Sequence, residues 1–157
     1  MSYKLNFVLV SFGAPISCTL CRETIDDYTK KIKSISVILF EAMAKSLDLE
    51  ENCFVKNFTE ERDVLHGRFI LYPPCPTPDK VLGLKAHSDR SGITLLLQDP
   101  GVEGLQVLNN GKWYNVPVIR DALFVNIGDQ MEVNYHDSEH LRAFCIRICG
   151  TRSQSFS

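Results

Sequence analysis

The period of the apolar residues changes near residue 66, and that switch constrains the fold more than any other feature of the chain. Between residues 24 and 47, Ile25, Tyr28, Ile32, Ile35, Ile38, Leu39, Ala42 and Met43 recur every three or four positions. This is the spacing of one stripe along an amphipathic helix. Thr24, with Asp27 three residues on, is the expected N-cap. Lys30, Lys31, Lys33 and Glu41 fall largely off the stripe and are expected in solvent. The stretch "SLDLEENCFVKNF" adds a second, shorter helical turn.

Past the switch the runs are short. "RFILY" ends at Pro73-Pro74, which stops it as a strand. "ITLLLQ" is a continuous apolar run, as expected of a strand covered on both faces. Asn110-Gly111 in "GLQVLNNGKWYNV" is a strong two-residue hairpin signal. "DALFVNIGDQMEV" reads as a buried strand ending in a Gly-Asp turn. A long helix followed by short strands and tight turns implies a mainly β fold with flanking α, a sandwich or jelly roll with the helix packed outside.

Length and charge narrow the function classes. At 157 residues the chain is long enough for one domain with its own core. A net charge of −2 gives no electrostatic case for nucleic acid or an anionic membrane. No apolar stretch reaches the roughly 18 to 20 residues needed to span a bilayer. At the N-terminus Lys4 precedes an apolar region at Phe7 to Val10. Asn6, Ser11, Gly13 and Pro15 interrupt it, and no small-x-small cleavage site follows, so a secretory leader is not expected. The six cysteines are then expected to be reduced, in the cytoplasm. A thiolate zinc site from Cys18, Cys21, Cys145 and Cys149 is the lesser alternative, since the second spacing is loose and no Gly-rich knuckle accompanies either pair.

The candidate chemistry lies in "GLKAHSDRS". On a strand, residues i and i+2 share a face, so His87 and Asp89 are placed to reach one metal while Ser88 points away. Two histidines and one carboxylate on one face of Fe(II) leave three positions open, enough for a bidentate oxo-acid and dioxygen. Taken alone the His-x-Asp triplet is a weak signal, and a hydrogen-bonded surface pair remains the plain alternative.

The surroundings add to it. Tyr72-Pro73-Pro74-Cys75-Pro76, Gly83-Leu84 ahead of His87, Leu95-Leu96-Leu97-Gln98-Asp99, Gly104-Leu105-Gln106-Val107 and Asn126-Ile127-Gly128-Asp129-Gln130 occur in this order. Over residues 22 to 133 the chain resembles the plant 2-oxoglutarate- and Fe(II)-dependent dioxygenases, the isopenicillin N synthase-like group of flavonoid, gibberellin, alkaloid and jasmonate oxidising enzymes. The resemblance implies a double-stranded β-helix, here an incomplete one. It implies that His87 and Asp89 are iron ligands and that Tyr72 helps to hold 2-oxoglutarate. Ile70 stands where the family commonly has an asparagine, which removes one hydrogen bond to that cosubstrate. The implied reactants are Fe(II), 2-oxoglutarate, O2 and a small organic substrate, a specialised metabolite or hormone, with ascorbate as an accessory reductant.

The family pattern also calls for a distal histidine about fifteen residues after the Gly-Asp turn, and an Arg-x-Ser beyond it. Counting from Asp129, that histidine position holds Phe144, and no Arg-x-Ser follows. His136 and His140 come too early; His140 is the surrogate ligand to consider. "HDSEH" also fits the H-x-x-E-H pattern of a zinc-protease class, although neither a stable helix nor a further ligand accompanies it. Family similarity is expected to stop after Glu132, and Val133-Asn134 is what a read-through splice donor would encode.

The expected segments are therefore an atypical 1–21, a helical scaffold 22–65, a partial dioxygenase domain 66–133 and an atypical tail 134–157, with residues 133–157 as translated intron or misjoined sequence. Such a chain is expected to have little or no activity. The alternative is a non-catalytic fragment that binds another protein through an open sheet edge.

Overall fold

The computed structural model describes residues 4–10, 20–59, 64–70, 72, 75–99, 103–134 and 145–149. In chain order these form β1 (Lys4–Val10), α1 (Leu20–Ser46), α2 (Cys53–Thr59), β2 (Val64–Ile70), β3 (Leu82–His87), β4 (Ile93–Leu97), β5 (Leu105–Asn109), β6 (Lys112–Asn115), β7 (Phe124–Ile127), α3 (Asp129–Asn134) and β8 (Ile146–Cys149). A single 3-10 turn at Pro78–Lys80 leads into β3. The strands make two four-stranded sheets, ordered β2-β1-β4-β7 and β3-β8-β5-β6. Two such sheets with flanking helices are the mainly β, jelly-roll architecture that the change of period implied.

β4 shows why its sequence has no polar face. Ile93 and Leu95 pack with Ile32, Phe40, Ala44 and Phe54 of the helices and with Met131. On the opposite face Leu96 joins Leu105, Ile146 and Ile148 of the other sheet. With successive side chains alternating between faces, both sets are buried and Thr94 is the one polar side chain in the strand.

The helix is present, but its buried face is not the expected stripe. Ile32, Ser36, Phe40 and Ala44 are the fully covered positions, at a strict spacing of four, while Ile38 is 64% exposed and Ile25 and Ile35 are also exposed. Ser36 fits the apolar face because its hydroxyl donates to the Ile32 carbonyl at 2.7 Å. Phe40 meets Phe54 of α2 with ring centroids 6.4 Å apart. α1 also begins at Leu20, so Thr24 is inside the helix and is not its cap.

The Asn110-Gly111 hairpin forms as expected: Asn109 pairs with Lys112 across it, and φ is +48° at Asn110 and +75° at Gly111. Positive φ at both central residues is the type I′ turn whose twist suits a two-residue hairpin. β7 stops at Ile127, and "DQMEVN" is helical rather than a continuation of the strand.

Two further strands have no counterpart in the reading of the periods. β1 lies inside the first sheet, parallel to β2 over its whole length and parallel to β4 from Asn6 to Leu9. The antiparallel pairings are β3–β8, β4–β7, β5–β6 and β5–β8. β8 lies inside the second sheet, antiparallel to both β3 and β5. Residues 146–149 are therefore an internal strand of the second sheet. Both strands, KLNFVLV and IRIC, mix apolar with polar residues, and strand pairing is what gives them regular structure.

Candidate metal centre

His87 is the last residue of β3, and Asp89 lies beyond the strand end. Strand alternation therefore does not bring the two together, contrary to the expectation from spacing. The backbone of residues 128–130 does so by holding the loop. Asp129 N donates to Asp89 O at 2.7 Å, Gly128 N to Gly92 O at 2.9 Å, and Gln130 N to Ser91 O at 3.3 Å. Ser88 donates its hydroxyl to Asp129 Oδ2 at 3.0 Å.

The two candidate ligands converge. His87 Nε2 lies 3.7 Å from Asp89 Oδ1, with the side chains about one-third and one-sixth exposed. That gap is too long for a hydrogen bond. Two bonds of about 2.1 Å each reach at most about 4.2 Å, so it suits a pair of ligands flanking one small divalent cation. His87 Nδ1 lies 2.7 Å from the Lys85 carbonyl oxygen. A carbonyl only accepts, so Nδ1 carries a proton, and in the neutral ring the lone pair is then on Nε2, the nitrogen nearer Asp89. A ring nitrogen anchored to backbone while the other faces the metal is the usual support for a histidine ligand.

Asp89 has a support of its own. Asn126 on β7 donates Nδ2–H to Asp89 Oδ2 at 2.9 Å, and its side chain is essentially inaccessible to solvent. Among the described residues its Oδ1 has no hydrogen-bond partner. The residue was visible in the sequence only as part of the "NIGDQ" motif. Nothing in the spacing showed that it would meet a carboxylate 37 positions away.

The donors present thus fit two positions of a cation. Among the described residues no third His, Cys, Asp or Glu joins them. His136, His140 and Phe144 lie outside the described residues, as does Cys18 of the proposed thiolate set, while Cys53, Cys75 and Cys145 are free thiols.

Tyr72 packs beside the second apolar cluster, against Leu96, Leu105, Ile146 and Ile148. Burial pushes its phenol above the ordinary value of 10.0, so the hydroxyl keeps its proton and remains a donor around neutral pH. Gly83 makes room for the ring: a β-carbon there would lie 2.8 Å from Tyr72 Cε1.

The chain is similar to known proteins over much of its length. The sequence profile of the 2OG-Fe(II) oxygenase superfamily matches residues 50–153. The match corrects the expectation that family similarity ends at Glu132, and it includes β8. Protein SRG1 of Arabidopsis thaliana is 40% identical over 123 residues, covering 76% of this chain and 34% of that protein. Codeine O-demethylase of Papaver somniferum is 42% identical over 125 residues, with the same coverage. The chain therefore spans about a third of the length of these relatives. Among solved structures, JOX2 in complex with 2OG, Fe and JA superposes with a TM-score of 0.76 at 30% identity, over 89% of this chain and 41% of that one. No helix among the described residues is long and apolar enough to cross a membrane. On the profile match, the relatives and the two-sheet fold together, the chain belongs to the 2OG-Fe(II) oxygenase superfamily.

Proposed function

We propose that this chain carries two of the three Fe(II) ligands of a 2-oxoglutarate-dependent oxygenase acting on a small organic substrate, and that the chain as given turns over little or nothing. The observation that carries the reading is the convergence of His87 Nε2 and Asp89 Oδ1 at 3.7 Å, without a third donor among the described residues. His87 and Asp89 would hold the cation, and the Tyr72 hydroxyl would help to hold the cosubstrate. Iron bound there would supply the centre at which dioxygen is activated and 2-oxoglutarate loses CO2 to give succinate.

The chain's own residues prepare the seat in two ways. The Lys85 carbonyl holds His87 in the tautomer that presents Nε2. The apolar cluster of Leu96, Leu105, Ile146 and Ile148 keeps water from the side on which Tyr72 packs. Three things are wanting in the sequence: the distal histidine, the Arg-x-Ser and the asparagine replaced by Ile70. A charge-assisted bidentate arginine contact is worth about 1.5–3 kcal/mol, and two protein ligands hold a divalent cation less firmly than three. The relatives' chemistry supports small organic substrates as a class, and the free thiols support a reducing, cytoplasmic setting.

The test is succinate release with Fe(II) and 2-oxoglutarate, beside Mn(II) binding followed by electron paramagnetic resonance, in wild type and His87→Ala. The expected result is Mn(II) binding that His87→Ala abolishes, with succinate near background in both. Succinate release that His87→Ala abolishes would overturn the inactivity. Equal Mn(II) binding by both proteins, or none by either, would overturn the metal site.

A second reading, a non-catalytic fragment that pairs with another protein, has one observation in its favour. Among the described residues, the strands at the sheet edges carry exposed apolar side chains: Phe69 on β2, Val125 on β7, Leu82 on β3 and Tyr114 on β6. Such edges are templates for strand addition. Succinate release dependent on His87 would count against this reading as well.

A further inference from the structure

We propose that Asn126 is a positioning residue for Asp89, setting the carboxylate so that Oδ1 faces the cation seat beside His87 before any metal arrives. The inference rests on the metal reading above and adds to it a residue 37 positions away in sequence.

Three observations carry it. First, the carboxylate has two distinguishable oxygens. Oδ2 accepts from Asn126 Nδ2 at 2.9 Å, while Oδ1 is turned to His87 Nε2 at 3.7 Å. One hydrogen bond on Oδ2 thus fixes the side-chain torsions that decide where Oδ1 points. Second, the donor is itself immobile. Asn126 is 1% exposed and lies opposite Thr94 in the β4–β7 ladder. It therefore shares a face with Thr94, whose hydroxyl contacts that of Ser91 at 3.0 Å. Third, the segment that supplies this donor also holds the backbone of the ligand loop, through Gly128 N to Gly92 O, Asp129 N to Asp89 O and Gln130 N to Ser91 O. Side chain and main chain of Asp89 are referenced to the same rigid element, the condition for a preorganised ligand.

The chemistry of the donor matters too. A lysine or arginine at this position would satisfy Asp89 by neutralising it and would compete with the cation for its charge. A carboxamide satisfies one lone pair and leaves the negative charge for the metal. The oxygen of the same amide is buried and has no hydrogen-bond partner among the described residues.

The test is a Mn(II) titration of the full chain, followed by electron paramagnetic resonance, well below the thermal midpoint. Wild type is compared with Asn126→Ala, with Asn126→Val, and with Asn115→Ala as a control for an asparagine paired elsewhere, on the β5–β6 hairpin. The expected result is about 10- to 100-fold weaker Mn(II) binding in both Asn126 variants, with wild-type affinity in Asn115→Ala. The visible spectrum of bound Co(II) is expected to shift in the Asn126 variants. Folded Asn126 variants with wild-type Mn(II) affinity and an unchanged Co(II) spectrum would overturn the proposal and leave the metal site standing. A wild type that takes up no Mn(II) would overturn both. Should neither variant fold, Zn(II) is added to isotope-labelled wild type. Movement of the Asn126 side-chain amide signals supports the role, and no movement on Zn(II) uptake overturns it.

Discussion

A β-carbon on Gly128 would lie 2.2 Å from the Ser91 carbonyl oxygen and 2.7 Å from that of Asp89. Both obstacles are backbone, so no rotamer change relieves them. Gly128→Ala is expected to cost about 3 kcal/mol or more, because strands and loop must separate to admit the methyl group. The urea midpoint should fall accordingly. A midpoint within error of wild type would mean that the loop is not packed on this glycine.

Tyr72 and Gly83 make a similar pair, but there the obstacle is a side chain. The 2.8 Å approach to Cε1 means that Gly83→Ala must push the ring aside. The cost is expected to be smaller, about 1–2 kcal/mol, with a change in tyrosine fluorescence or near-ultraviolet circular dichroism. An unaltered spectrum would place the ring elsewhere.

Val8 is in register with Arg68 on one side and Leu96 on the other. Proline is confined to strand edges because it lacks the N–H and its ring crowds the neighbouring strand. Val8→Pro is accordingly expected to destabilise the protein by about 3 kcal/mol or more. A proline variant as stable as wild type in urea would show that the sheet does not depend on residues 4–10.

Alkaline pH should weaken the fold. Burial raises the phenols of Tyr28 and Tyr72 above 10.0 and is the main cause of the raised thiol of Cys53, ordinarily at 9.0. A raised value means that the folded state holds the proton more tightly than the unfolded one. The associated stability is fully present below the unfolded values and is lost as pH climbs through the folded ones. The urea midpoint is expected to fall as pH rises past the ordinary thiol and phenol values of 9.0 and 10.0, and less steeply in Tyr72→Phe. A slope unchanged in Tyr72→Phe would remove that phenol from the account.

Much of the fold was legible wherever a local rule applied. Asn110-Gly111 specifies its own turn through backbone sterics, and the hairpin follows. The run at residues 93–97 has no polar face because both of its faces are covered. Periodicity was less reliable for α1. Several near-equivalent stripes fit its apolar residues, and the choice of Ile32, Ser36, Phe40 and Ala44 depends on where Phe54, Ile93 and Leu95 lie. The positions of β1 and β8 were not legible at all. A segment of four to seven residues rich in apolar side chains states that it can be a strand, not which strands it will join.

The same division holds at the site. By itself the sequence determined which residues are available: His87 and Asp89 two apart, Tyr72 upstream, and no Arg-x-Ser downstream. It also determined that a helix is followed by short strands past residue 66, because hydrophobic period is a local property. Only the tertiary structure decided that Asp89 turns one oxygen toward His87 and the other toward Asn126. That outcome depends on the β4–β7 ladder and on the segment following β7 closing over the loop at residues 88–92. Such contacts lie far apart along the chain, so their geometry is set by packing between elements, which no short window of sequence contains.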